Sequence, residues 1–374
     1  MTLHWRCAIA GTAIAAAAMF AASGPALGKE LRYGTFVPSI TNFVKETVKT
    51  FDGIEKATNG ALTFKTFPNG EAIKFRTALK GIASGIVDIG HVVWVIHPTE
   101  MPRASLAAQA LAFSDSVMSA AGAVAEFHMV TCKDCRKEYE KANVMPLGGE
   151  AGSRYVLMCA REFKSVDDLK GVRVRAVGAM ARWAKELGMI PTRIASTEVL
   201  QSMQRGVIQC ALGLLPWLRA YSLKDATKFI IDTRVGAALG GGSWWMNMQS
   251  WAKLSAAHKK AMIDALPGHI YRLMEVGMVS EAEDARKKAI AAGIKVTDGG
   301  PAFHTKWKAF SAKERDTLVA LAGKRKVANP EKFVDSMLGV FDTWNKLMAG
   351  KENDRAHFEN LIRTRVIAKS PLLK

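Results

Sequence analysis

Apolar residues recur along this chain in two rhythms, one of period two and one of three to four, and the rhythms alternate in a regular order. Residues 31–36 read as an opening strand. Thr41 or Asn42 then caps a helix that gathers Phe43, Thr47, Phe51 and Ile54 on one face and stops at Asn59-Gly60. Residues 62–67 predict a second strand, closed by Pro68-Asn69-Gly70. Phe75, Leu79 and Ile82 mark a helix ending at Ser84-Gly85, and 86–95 is a third, largely apolar strand. Strand, helix, strand, helix, strand predicts a parallel α/β lobe. A helical stretch over 117–141 follows, then a strand at 143–147 and a loop at 148–152. The rhythm then restarts, with strands at 154–159, 172–176, 190–194 and 207–212. Helices at 179–187 and from Ser196 to Arg205 lie between them, and together these predict a second parallel α/β unit. From Trp244 the chain is expected to return to the first lobe. The remainder is helical, with one helix expected to start at the capping box Ser311-Ala312-Lys313-Glu314. The division expected is lobe 1 over 29–150, lobe 2 over 151–243, and the return with C-terminal helices over 244–374.

The first residues point to export. Arg6 starts a basic region, and 8–22 is a nearly unbroken run of small apolar residues, about 15 long and too short to span a bilayer comfortably. Ala26-Leu27-Gly28 then offers the small residues a signal peptidase reads, so 1–28 is read as a signal peptide, with a membrane anchor as the competing reading. Periplasmic localisation follows from it. The 374-residue length favours two lobes over one core.

Charge changes the picture less than its size suggests. The net charge of +18 is spread along the chain, with no basic tract and no interleaved aromatics, so nucleic acid is not expected as a partner. A positive field would draw small anions instead. Cys132-Lys133-Asp134-Cys135 is a lone CxxC with no following histidine, which excludes covalent haem attachment and gives a structural zinc site no support. A local Cys132–Cys135 disulfide is the simplest outcome in an oxidising compartment, with free thiols as the alternative. Cys159 and Cys210 fall in apolar runs and are expected as buried thiols. HExxH, GxSxG, P-loop and dinucleotide fingerprints are all missing, and the histidines show no ligand spacing, so no enzyme, metal or cofactor is expected.

The most informative stretch is Asp168-Leu169-Lys170-Gly171-Val172-Arg173-Val174-Arg175. A polar turn leads into an alternating strand that ends on an arginine. A guanidinium is a planar fork suited to a carboxylate, although a strand arginine by itself reads as a surface residue. Pro191-Thr192, Glu198-Val199-Leu200-Gln201 and Gln204-Arg205-Gly206-Val207-Ile208 follow in order. This order resembles the solute receptors of tripartite ATP-independent periplasmic (TRAP) transporters, dicarboxylate-receptor branch. Thr58-Asn59-Gly60, Phe67-Pro68-Asn69-Gly70, Ser84-Gly85-Ile86-Val87-Asp88 and Trp251 with Lys253-Leu254-Ser255 match the same family. The resemblance covers about residues 31–270 and implies a two-lobed α/β fold of the type II periplasmic kind. It also implies capture of an organic acid between the lobes and delivery to TRAP membrane subunits, with no cofactor and a monomeric receptor.

By that resemblance Arg175 holds the ligand carboxylate and Arg154 is a second arginine near it. The departure comes after Gly206, where Gly213 replaces the asparagine that helps hold the carboxylate in the family. A roomier or more apolar pocket is therefore expected, walled by Trp217, which favours a monocarboxylate with an apolar or aromatic body. Trp94 is a candidate for the cleft wall, and Gly240-Gly241-Gly242 with Trp244 and Trp245 a candidate hinge or rim. An ABC-type receptor and a periplasmic sensor serving a membrane signalling protein stand as alternatives.

Overall fold

The computed structural model describes residues 1–2 and 28–373, apart from 233, 234 and 240. The stretch read as a signal peptide lies almost wholly outside the described residues. The helix Asn42–Ala57 begins as its sequence dictates: the Thr41 hydroxyl accepts the Val44 N–H at 3.4 Å, and Phe43, Thr47, Phe51 and Ile54 are all buried. It ends where Asn59 and Gly60 take φ of 50° and 77°, a left-handed turn that these two residue types tolerate best.

Among the described residues there are twelve strands. They are β1 (Lys29–Gly34), β2 (Leu62–Phe67), β3 (Ile89–Val93), β4 (Val144–Pro146), β5 (Gly152–Cys159), β6 (Arg173–Arg175), β7 (Ile190–Thr192), β8 (Cys210–Leu214), β9 (Phe229–Ile231), β10 (Ala237–Ala238), β11 (Gly241–Asn247) and β12 (Lys295–Thr297). The first sheet has the order β2-β1-β3-β11-β4 and the second β12-β9-β5-β8-β6-β7, with β10 beside β5. Read from β7, the second sheet repeats the first. Three parallel strands come first, then one antiparallel strand, then one that runs with the first three. The antiparallel strand is β11 in the first sheet and β5 in the second. The strand path therefore changes sheet three times, first through 147–151, then between β10 and β11, and last through the helices between β11 and β12.

This is the two-lobed α/β architecture the sequence predicts, with corrections. Neither sheet is wholly parallel. The chain does return to the first sheet near Trp244, but β12 then pairs with β9 in the second, so the C-terminal third serves both lobes. Trp244 and Trp245 are buried core residues of β11, flanked by paired strands, and the described glycines beside them are strand residues too. The stretch 117–141 breaks into the helices Val117–Glu126 and Cys135–Lys141 around a wide turn, and Cys132–Cys135 are bonded across that break. Cys159 and Cys210 are also bonded; they sit opposite one another in the β5–β8 ladder, which the sequence reading missed because 51 residues separate them. Ser311-Ala312-Lys313-Glu314 starts nothing, since it lies inside the helix Gly300–Lys324. Its Glu314 is buried and pairs with Arg182, whose Nε is 3.0 Å from the carboxylate. That charge pair, rather than a cap, explains the glutamate.

Candidate functional site

Arg175 is the last residue of β6, paired with Thr192 on the edge strand β7 and with Ala211 on β8, one strand in from the edge of the second sheet. Its side chain is turned inward, and the residue is 2% exposed. Its Nε donates to the Ile194 carbonyl at 2.9 Å and its Nη1 to the Leu212 carbonyl at 3.1 Å. These two carbonyls fix the plane of the guanidinium. The Trp217 ring lies against it, 4.8 Å from ring centroid to guanidinium carbon, a cation–π contact. Among the described residues no carboxylate pairs with Arg175. Burial pulls its pKa below the ordinary arginine value, against the opposing pull of Tyr155 and Tyr221. The same burial pushes both tyrosines up, so their hydroxyls stay neutral and supply no counter-charge.

The guanidinium faces a cavity of about 130 Å³ between the two sheets. Phe36, Phe43, Phe75 and Met278 give it an apolar wall from the first lobe, and Leu214 and Trp217 from the second. Phe36 and Phe75 meet edge to face at 5.1 Å, which closes that end. The polar groups on the wall are Arg175, Tyr155, Tyr221, Ser196, Thr41, His91, Glu150 and Glu281 among a larger apolar majority. Ser196, where a helix was expected to start, donates to the Tyr221 hydroxyl at 3.4 Å. Glu281 accepts the Asn42 N–H at 3.0 Å and pairs with Arg219. Among the described residues no three His, Cys, Asp or Glu side chains come together as a metal set.

The structure brings two of the five proposed site residues to this cavity, Arg175 and Trp217. Gly213 lies behind it: a Cβ there would stand 2.4 Å from Trp217 Cε3 and 2.8 Å from Met158 Cε. The space left by the missing side chain is filled by the Trp217 ring and not left open. Arg154 lines a separate, wider cleft of about 700 Å³, where its Nη2 donates to the Asp115 carbonyl at 2.9 Å. The cavity side of β5 belongs to its neighbour Tyr155. Trp94 is 1% exposed and points into the first-lobe core, against His128 and Trp245, while Val93 and Val95 on either side of it line the cavity. The sequence reading missed Tyr155, Tyr221, His91 and Glu150. His91 carried a signal, being a polar residue inside the apolar strand run Ile89-Gly90-His91-Val92-Val93.

With a buried, unpaired arginine between two lobes in view, the relatives can be placed. The sequence model of bacterial extracellular solute-binding protein, family 7, matches residues 33–319. The chain belongs to this family. Family 7 is a receptor family and not an enzyme family, and its members work outside the cytoplasm. A monocarboxylate 2-oxoacid-binding periplasmic protein of Nostoc sp. is 25% identical over 55% of this chain and 57% of its own length. A solute-binding protein of Roseobacter denitrificans is 26% identical over 58% of this chain and 66% of its own. The chain thus spans less than two thirds of these curated relatives. Solved structures cover far more of it. A TRAP solute-binding protein of Rhodoferax ferrireducens, in complex with copurified benzoate, covers 86% of this chain and all of its own at a TM-score of 0.76 and 17% identity. One from Bordetella bronchiseptica with bound mandelate covers 84% and 99% at 0.72 and 18%. A Bordetella pertussis receptor binding pyroglutamic acid covers 83% and 99% at 0.70 and 20%. At such identities the likeness carries the fold. Among the described residues no helix is long and apolar enough to cross a membrane.

Proposed function

We propose that this family 7 receptor works in the periplasm. It captures an organic monocarboxylate with an apolar or aromatic body and presents it to the membrane subunits of a TRAP transporter. Arg175 carries the reading. A guanidinium held by two carbonyls, out of water and with no carboxylate beside it, is a costly arrangement until an anion arrives. A ligand carboxylate supplies the missing charge and accepts the forked donors. The remainder of the cavity favours an apolar body, with phenylalanine walls and the Trp217 face. A second carboxylate on the ligand would meet Glu150 or Glu281, which disfavours diacids. The Nostoc relative's name and the benzoate and mandelate complexes support the same class of ligand.

A thermal-shift screen of the mature protein tests this. Benzoate, mandelate and related monocarboxylates should raise the melting temperature, by mass action, by far more than succinate does. A ligand at a hundredfold excess over its dissociation constant adds about 2.7 kcal/mol of stability. A screen in which only neutral sugars or cations move the transition overturns the proposal.

A further inference from the structure

The cavity wall opposite Arg175 holds a second, unfinished polar site. His91 on β3 and Glu150 in the first crossing are each 5% exposed and line the same cavity. Glu150 Oε2, His91 Nδ1 and His91 Nε2 are buried with no hydrogen-bond partner. His91 Nε2 and Glu150 Oε1 approach to 3.3 Å, but their orientation makes no hydrogen bond. The imidazole is held in place by the Phe36 ring, stacked at 4.8 Å, and the Phe43 ring at 4.9 Å, so it cannot swing away to find another partner. Gly241 keeps the space beside the pair clear, since a Cβ there would lie 2.7 Å from both Glu150 Oε1 and His91 Nε2. The other carboxylate on the wall, Glu281, is already engaged by Asn42 and Arg219. Folded proteins leave few buried polar atoms unpaired, and two adjacent such side chains on a cavity wall mark a place where the partner comes with the ligand.

We propose that Glu150, steadied by His91, accepts a hydrogen bond from a hydroxyl or N–H group on the ligand, remote from the carboxylate that Arg175 holds. The proposal rests on the monocarboxylate reading above and narrows it to acids that carry such a donor: hydroxy acids, phenolic acids, lactam or amide acids. Glu150 and His91 belong to the first lobe and its crossing, and Arg175 to the second. A ligand with both groups touches both lobes, whereas one with the carboxylate alone is anchored polarly to the second lobe only. The donor therefore sets specificity and favours the closed form through a contact that the donor-free acid lacks.

Titration calorimetry on the full mature protein with matched acids tests it. The pairs are benzoate with 3-hydroxybenzoate, benzoate with 4-hydroxybenzoate, and phenylacetate with 3-hydroxyphenylacetate. In at least one pair the donor-bearing acid should bind at least about tenfold more tightly, because a site built around a hydrogen bond rejects the analogue that lacks it. Glu150→Leu should bring that ratio to about one while keeping the donor-free acid bound, and Glu150→Gln, which retains an acceptor oxygen, should restore part of it. Equal affinities in every pair, with a water filling the same role, overturn the proposal and leave the monocarboxylate reading standing. A preference that survives Glu150→Leu overturns it as well. If no acid of any pair binds, the monocarboxylate reading itself fails, and this inference fails with it.

Discussion

Arg175 and Trp217 depend on a residue that touches no ligand space. Gly213 pairs with Val156 in the β5–β8 ladder, and its missing Cβ is what lets the Trp217 ring settle flat enough to reach the guanidinium. The sequence reading took this glycine as a departure from the family pattern that enlarges the pocket, whereas the structure fills its volume with the Trp217 ring. That outcome could not be read from the sequence, because whether a vacated volume becomes cavity or is filled depends on a ring four residues later turning back over the strand. Gly213→Ala should therefore push Trp217 and Met158 outward and lower stability by about 1–3 kcal/mol, the usual cost of overpacking. It should also weaken acid binding, since the ring leaves the Arg175 face. Urea unfolding with calorimetry on the same variant checks both. Unchanged stability with unchanged binding would show that the ring is not held by the glycine.

At the scale of elements, local order was legible and phase was not. Strand and helix existence follows from short-range periodicity, and the helix start at Thr41 and the turn at Asn59-Gly60 came out as their residue chemistry requires. Which face of a strand meets the cavity depends on packing between distant segments. A strand alternates its side chains, so an error of one residue exchanges cavity for its opposite side. Arg154 and Tyr155 on β5 are such a case, while Trp94 lies just past the end of β3 in a short turn, so its direction follows from that turn. The antiparallel insertion of β11 into the first sheet brings a second consequence. It places Ser243 and Trp244 against His269 of the helix Ala256–Met274. His269 is fully buried there, 3.1 Å from the Thr50 hydroxyl and 3.3 Å from that of Ser243, and stacked on Trp244 at 4.2 Å. Burial first, and Arg272 second, depress its pKa from 6.5 to about 3. The folded protein thus refuses a proton that the unfolded chain accepts, so stability is full above about pH 6.5 and is lost as the pH falls toward 3. His128, buried on the far side of the same lobe's core, is lowered for the same reason and adds in the same direction. Each such histidine contributes a slope of up to about 1.4 kcal/mol per pH unit. Urea midpoints between pH 7 and pH 5 should fall on acidification, and His269→Gln should make the decline shallower. A flat profile in the parent protein would contradict the burial argument.

For the whole molecule, three crossings join two similar sheets into one machine. Each sheet's antiparallel strand is the first that the chain forms on entering it by the first or second crossing, and the cavity lies beside these two crossings, with Glu150, Gly152, Ala238 and Gly241 on its wall. A net charge of +18 surrounds it with a field that attracts anions from solution, and the capture step then falls to a single desolvated cation. The central claim is that this cation, Arg175, receives the ligand's carboxylate. The most direct measurement is titration calorimetry of the parent, Arg175→Ala and Arg175→Lys with the tightest monocarboxylate of the thermal screen. Arg175→Ala should lose on the order of 2–5 kcal/mol of binding, because the carboxylate is left desolvated without its partner. Arg175→Lys should lose much of the same, since an ammonium does not present the planar fork. Near-parental affinity in Arg175→Ala, with its melting transition intact, would contradict the account.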